Sequence, residues 1–138
     1  MALQTTVDHV VARVPVTVVG LNGELDASTY EHLIEDVRGL YDGGTRKLVL
    51  DMSGLTYMAS SGLIALHSIV QVMHGEQPPD IEGGWSAFHA LGNAVEGGRQ
   101  DDVLLAGQQP AVSRVLQRTG LDQLFASYPD RASAIAAV

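Results

Sequence analysis

Cysteine is absent from this chain of 138 residues, and its absence excludes several kinds of site. Disulfide bonds, zinc–thiolate centres and thiol redox chemistry all require cysteine. A chain of this length can instead bury roughly two-thirds of the surface that its unfolded form exposes, so we expect residues 1–138 to form one domain. A chain without cysteine is also compatible with the cytoplasm, which is the location that we predict.

Basic residues are scarce. Eight Lys and Arg residues stand against sixteen Asp and Glu residues, which gives a net charge of −8. This charge repels nucleic-acid phosphates, and no cluster of Lys or Arg offsets it, so we predict no nucleic-acid binding. An acidic surface favours solubility and suits a basic protein partner.

Long hydrophobic runs are also missing. The longest apolar stretch, Leu63–Met73, is interrupted by His67, Ser68 and Gln71. The first fourteen residues lack a basic region followed by an apolar core. We therefore predict neither a signal peptide nor a membrane span.

Strand signals open the chain. Val7–Val14 alternates loosely and Val16–Leu21 is rich in β-branched residues, which predicts two paired strands. Pro15 marks a break between them, because proline cannot donate to a sheet ladder. Asn22 and Gly23 predict a turn at the end of the second strand.

The first helix is predicted from its capping residues and its apolar spacing. Asp26 or Ser28 is expected to cap it, with Glu31 completing a capping box if Ser28 is the cap. Helical spacing of apolar residues extends to about Tyr41, where Asp42 and two glycines end the helix.

The central segment is Lys47–His74. Leu48–Leu50 predicts a strand buried on both faces, Ser53 and Gly54 predict a turn, and a helix is expected from Gly62 to about His74. Ser60 or Ser61 would cap that helix. A helix N-terminus also favours an anion, so two interpretations remain open: a serine that caps the helix, or one that carries a phosphate.

Strands and helices also alternate in the second half of the chain. The predicted elements are a strand at Val103–Ala106, a helix from Pro110 to Thr119, a strand at Leu124–Tyr128 and a helix at Asp130–Val138. This order predicts an α/β layer fold with a mixed sheet of four to five strands and about four helices.

Residues 75–102 interrupt this order. Pro78, Pro79 and two Gly-Gly pairs bracket Ser86–Val95, in which apolar residues recur at helical spacing. Together with Trp85 this pattern predicts a short amphipathic helix on flexible arms. We expect it to dock on the domain itself, and the alternative is that it contacts a partner or a second copy of the chain.

Enzymatic and metal sites are not indicated. Met58–Gly62 lacks the first glycine of a hydrolase nucleophile elbow, and no oxyanion motif precedes it. No two histidines have the spacing of a helical metal site. We predict a protein that is not an enzyme and that needs no cofactor or metal.

Three segments in order resemble one family. They are Gly23–Ala27 (GELDA), Asp51–Leu66 (DMSGLTYMASSGLIAL) and Pro110–Phe125 (PAVSRVLQRTGLDQLF). They are similar to the STAS domains of bacterial anti-sigma factor antagonists. The match excludes the insertion at about 75–102. Ala59 stands where the family usually has an aspartate.

The resemblance implies a function. A member of this family binds an anti-sigma factor that is also a serine kinase, and phosphorylation of the antagonist breaks the complex. The phosphorylated position corresponds to Ser60, and the partner-binding surface to Asp26, Ser60, Ser61, Gly62 and Leu63. A phosphatase and a homodimer are further partners that the family allows. The alternative role is a STAS subunit of a lipid-transport or stress-signalling complex without serine phosphorylation.

Overall fold

The structure, a computed structural model, describes residues 3–75, 100 and 102–138. Strands and helices alternate along these residues. In order, they are β1 (Leu3–Val11), β2 (Pro15–Leu25), α1 (Tyr30–Asp42), β3 (Leu48–Met58), α2 (Ser60–Met73), β4 (Val103–Ala106), α3 (Pro110–Thr119), a 3₁₀ turn (Leu121–Leu124), β5 (Ala126–Tyr128) and α4 (Arg131–Ala137).

The strands form one sheet of five in the order β1-β2-β3-β4-β5. β1 is antiparallel to β2, and every later neighbour pair is parallel. A parallel pair needs a crossover connection, and a described helix lies in each of the three crossovers. The predicted α/β fold with a mixed sheet is therefore confirmed. The predicted helix at Ser86–Val95 lies outside the described residues.

The core lies on both faces of the sheet. Leu48 and Leu50 of β3 pack with residues of α1, α2 and α3 on one face. Val49 points to the other face and packs with Ala134 of α4, as alternation along a strand requires. The predicted central strand is thus buried on both sides.

Two predicted turns are wrong. β2 continues through Asn22 and Gly23 to Leu25, and β3 continues through Ser53 and Gly54 to Met58. The register between the two strands shifts twice in this region, so extra residues of β3 bulge without ending the strand. Gly54 lies next to such a bulge. Glycine is required there because a Cβ would clash with the Asn22 side chain.

The predicted capping box of α1 is also wrong. The helix begins at Tyr30 with Thr29 as its N-cap residue, and neither Asp26 nor Ser28 caps it. The Asp26 carboxylate instead accepts hydrogen bonds from Ser28 and closes the preceding turn. The Thr29 hydroxyl donates to the Glu24 carbonyl oxygen at 3.0 Å, which ties this turn to the end of β2.

The predictions for the second half are largely confirmed. β4 and α3 have the predicted bounds, and Gly120 closes α3 in the left-handed conformation with φ of 77°. β5 is shorter than predicted because Leu121–Leu124 forms a 3₁₀ turn. Asp130 caps α4 by accepting a hydrogen bond from the Ser133 N–H at 2.8 Å. No described helix combines the length and the apolar character that crossing a membrane requires.

Candidate functional site

The ends of β2 and β3 bring two predicted site segments together. Leu25 and Met58 are paired across the two parallel strands. One residue further on, the Ala59 N–H donates to the Leu25 carbonyl oxygen at 2.9 Å. Asp26 and Ser60 therefore follow directly from two joined strand ends and lie at the same edge of the sheet.

Ser60 is the first residue of α2, and the N-cap position belongs to Ala59, whose backbone is extended. The prediction that Ser60 or Ser61 caps a helix starting at Gly62 is wrong, because the helix starts as soon as β3 ends. Ser60 is exposed, and its hydroxyl makes no hydrogen bond within the described part of the chain. Its exposed side chain lies at the first turn of α2, where the Gly62 N–H donates to the Ala59 carbonyl oxygen at 2.9 Å and the leading N–H groups have no acceptor four residues earlier in the helix.

Ser61 has different surroundings. Its hydroxyl oxygen is buried and has no hydrogen-bond partner among the residues that the structure describes. Of these two adjacent serines, Ser60 has the exposed side chain. The two adjacent serines thus differ in how exposed their side chains are.

Gly62 and Leu63 lie inside the molecule and not on its surface. A Cβ on Gly62 would stand 2.6 Å from Cγ of Met58 and 3.2 Å from the Leu25 side chain. Leu63 is 3% exposed and belongs to the main core. These two residues hold the first turn of α2 against the strand ends, so they position the surface that Ser60 occupies.

Asp26 contributes a negative charge to this edge of the sheet. The Ser28 hydroxyl donates to its carboxylate at 2.6 Å and the Ser28 N–H donates at 2.9 Å. These hydrogen bonds lower the pKa of the Asp26 carboxyl below its ordinary value. Asp26 is therefore ionised at neutral pH, in the loop that adjoins Ser60.

Comparison with known proteins identifies the family. The model of the STAS domain matches residues 6–75, which span β1 to the end of α2. The chain belongs to the STAS domain family. No curated protein matches the sequence.

Solved structures share the fold of this STAS domain. An anti-sigma factor antagonist from Mycobacterium paratuberculosis matches with a TM-score of 0.68 and 23% identity, covering 99% of this chain and 94% of that one. The Bacillus cell fate determinant SpoIIAA in its phosphorylated form matches with a TM-score of 0.53 and 20% identity over 99% and 98%. The STAS domain of a SulP transporter from Vibrio cholerae matches with a TM-score of 0.53 and 19% identity over 88% and 77%.

One exposed residue of this STAS domain, Tyr57, was not among the site residues predicted from the sequence. Tyr57 is 51% exposed and lies opposite Glu24 near the end of β3, three residues before Ser60. Its neighbour Thr56 donates to the Gly23 carbonyl oxygen at 3.0 Å. A strand predicted as far as Met58 would have indicated that the Tyr57 side chain faces outward. The sequence instead predicted a turn at Ser53 and Gly54, before Tyr57. An exposed aromatic residue is a common anchor of protein interfaces.

Other potential sites are weaker. Ile64 and Val72 are two further apolar residues of α2, and both are buried within this chain and offer no free surface. Among the described residues, no group of three or more His, Asp or Glu side chains could hold a metal ion. The exposed edge around Ser60 is therefore the best candidate site.

Proposed function

We propose that this STAS domain is a cytoplasmic anti-sigma factor antagonist and not an enzyme. It binds an anti-sigma factor that is also a serine kinase, and so regulates transcription that depends on a sigma factor. Phosphorylation of Ser60 breaks the complex. The observation that carries the proposal is the exposed Ser60 hydroxyl at the start of α2, beside the loop of Asp26.

The docking surface consists of Asp26, Tyr57 and Ser60, with Ser61, Gly62 and Leu63 supporting it from inside. A phosphate on Ser60 adds a charge of about −1.5 to −2. The N-terminus of α2 stabilises this charge within the free protein. In a complex, the same charge must lose its water, and it lies at the same joined strand ends as the ionised Asp26. Binding therefore becomes less favourable after phosphorylation.

Two of the similar structures support this assignment. One is an anti-sigma factor antagonist from Mycobacterium paratuberculosis, and the other is SpoIIAA in its phosphorylated form. Ala59 replaces the aspartate that usually precedes the serine in this family, but its side chain is a methyl group that does not cover Ser60. A phosphatase that removes the phosphate would reset the switch.

Mass spectrometry tests the modification. The chain is incubated with ATP and the serine kinase that co-purifies with it, and the phosphorylated peptide is sequenced. We expect phosphate on Ser60, its loss in Ser60→Ala and its retention in Ser61→Ala, because the Ser61 oxygen is buried. Phosphate on Ser61, or none on either serine with an active kinase, would contradict the proposal.

The alternative function is a STAS subunit of a lipid-transport or stress-signalling complex in which the serine is never phosphorylated. Two observations favour it: Ala59, and the likeness to the STAS domain of a SulP transporter. Co-purification distinguishes the two functions. A bound kinase of the anti-sigma type supports the first, and a bound transporter ATPase supports the second.

A further inference from the structure

β1 forms one edge of the sheet. In the part of the chain that the structure describes, it pairs with β2 alone, and all residues from Leu3 to Val11 take part without a register shift. The opposite side of β1 therefore presents a row of unpaired backbone N–H and C=O groups. Such an edge is a ready template for pairing with another strand.

Exposed apolar side chains concentrate at this edge. Of the four large apolar side chains that are exposed among the described residues, Val7 and Val11 lie on β1 and Val14 in the turn after it. Val7 is 44% exposed and Val11 is 84% exposed. Alternation along the strand places both on the same face as Leu3. The edge thus carries an apolar stripe with a period of four residues.

This edge lacks three features that commonly prevent an edge strand from pairing with another chain. Lysine, proline and β-bulges commonly protect an edge strand, and β1 has none of them. Its one acidic residue, Asp8, accepts a hydrogen bond from Nη1 of Arg131 at 2.7 Å on the face that α4 covers. That ion pair offsets the charge that would otherwise repel a second strand.

We propose that β1 pairs antiparallel with β1 of a second copy of this chain, about a two-fold axis at Val7. In this register Val7 lies opposite Val7 of the second copy, and Leu3 opposite Val11. Thr5 lies opposite His9 and Thr6 opposite Asp8. The exposed stripe of Leu3, Val7 and Val11 thus meets itself, Gln4 lies opposite Val10, a hydroxyl meets the Asp8 carboxylate, and no two like charges are opposed.

Neighbouring registers are less favourable. A two-fold axis at Asp8 would place the two Asp8 carboxylates directly opposite each other, which destabilises a strand pair. An axis at Thr6 would leave the exposed Val11 beyond the end of the described partner strand. The register at Val7 is the one that uses the whole strand. Strand direction reverses across the axis, so the two Ser60 edges point away from each other and stay free.

Single-cysteine variants test this register, because the chain has no cysteine of its own. In Val7→Cys, the two thiols face each other with Cβ atoms about 4.5–5.5 Å apart. Gln4→Cys is the matched control on the same strand, and its two thiols would lie six residues apart along the ladder, about 20 Å. Under copper-phenanthroline oxidation, we expect Val7→Cys to form a covalent dimer at least tenfold faster than Gln4→Cys.

Sedimentation velocity provides an independent measurement. The unmodified chain should shift from monomer to dimer with rising concentration. Val7→Lys should remain monomeric because two ammonium groups would face each other, and Val14→Lys, outside the paired residues, should still dimerise. Circular dichroism checks that each variant is folded. A monomeric parent chain, a dimeric Val7→Lys, or equal cross-linking of the two cysteine variants would overturn the proposal. No anti-sigma factor enters these experiments, so their outcome is independent of the function proposed for Ser60.

Discussion

Ser60 and Ser61 are adjacent in sequence, but their side chains have different surroundings. Ser60 begins α2 with an exposed side chain, whereas the Ser61 oxygen is buried and has no partner in the described part of the chain. A buried hydroxyl that lacks a hydrogen bond costs about 1–3 kcal/mol. This cost applies to Ser61 and not to Ser60, whose side chain is exposed. In the proposed function, Ser61 supports the docking surface from inside and is not a second phosphorylation site.

The charge of residue 60 controls partner binding in the proposed function. We predict that Ser60→Asp weakens binding to the anti-sigma factor by about 2 kcal/mol, because a carboxylate buried in the complex loses its hydration. Ser60→Ala should bind as the parent chain does. Ser127→Asp, at the exposed position of β5, is the control with the same charge change. Titration calorimetry measures all four proteins, and tight binding by Ser60→Asp would place the docking surface elsewhere.

At the scale of the helices, two glycines are expected to respond oppositely to alanine. Gly62→Ala in α2 should destabilise the domain by about 1–3 kcal/mol, because the added methyl would press on Met58 and Leu25. Gly39→Ala in α1 has no atom within 4 Å of the added Cβ and should stabilise by about 0.5–1 kcal/mol. Urea unfolding measures both. A Gly62→Ala variant as stable as the parent would mean that the first turn of α2 is not tightly held.

α4 is attached to the sheet by a charged network. Nε of Arg131 donates to Oδ2 of Asp51 on β3 at 3.0 Å, and Nη1 donates to Asp8 on β1 at 2.7 Å. Partial burial raises the pKa of Asp51, but hydrogen bonds from Ser53 and Arg131 outweigh this effect and lower that pKa below 3.8. The network thus links two strands to the first turn of α4.

This network predicts a loss of stability in acid. Because the pKa of Asp51 is lower in the folded than in the unfolded protein, its contribution is fully present above 3.8 and is lost as the pH falls through the folded value. Arg131→Gln should reduce the part of the acid sensitivity that Asp51 supplies, whereas Arg38→Gln on exposed α1 should not. Urea midpoints from neutral pH downwards measure the effect. Parallel pH profiles for the parent and Arg131→Gln would contradict it.

Local signals predicted the elements that local sequence determines. Val103–Ala106 and the helix after Pro110 were correct because their boundaries are set by proline, glycine and a short apolar run. The sequence did not predict that β2 and β3 continue beyond the expected turns. Their continuation depends on pairing between segments distant in sequence, with register shifts on either side of the pair Asn22 and Gly54. Tyr57 was missed for the same reason. The Ser60 edge was found through family resemblance, and its exposure came from the structure.

The whole molecule presents two surfaces at separate places on one sheet. The Ser60 edge lies at the carboxyl ends of β2 and β3, and the open edge of β1 runs along the side of the sheet. A dimer through β1 would leave both Ser60 edges free and pointing in opposite directions. Both proposed docking surfaces would therefore remain available in the dimer. The net charge of −8 on each chain opposes association at low salt, so added salt should favour the dimer.

Trp85 is the single tryptophan, and it lies in the segment 75–102, most of which is outside the described residues. The sequence predicts that the amphipathic helix of this segment docks on the domain. Burying one such aromatic side chain contributes about 1.5–3 kcal/mol, and the covalent link keeps its local concentration high at any protein concentration. Trp85 can therefore report whether residues 1–138 behave as one domain.

We predict blue-shifted, quencher-protected emission from Trp85 in dilute protein, and the same emission in the Val7→Lys variant, which the β1 proposal expects to be monomeric. If the segment belongs to a single cooperative domain, the urea midpoint measured by Trp85 fluorescence should coincide with the midpoint measured by far-ultraviolet circular dichroism. A solvent-like spectrum that becomes protected only at high protein concentration or with a partner would show intermolecular docking. Separate midpoints would show that the segment unfolds independently of the sheet and its helices.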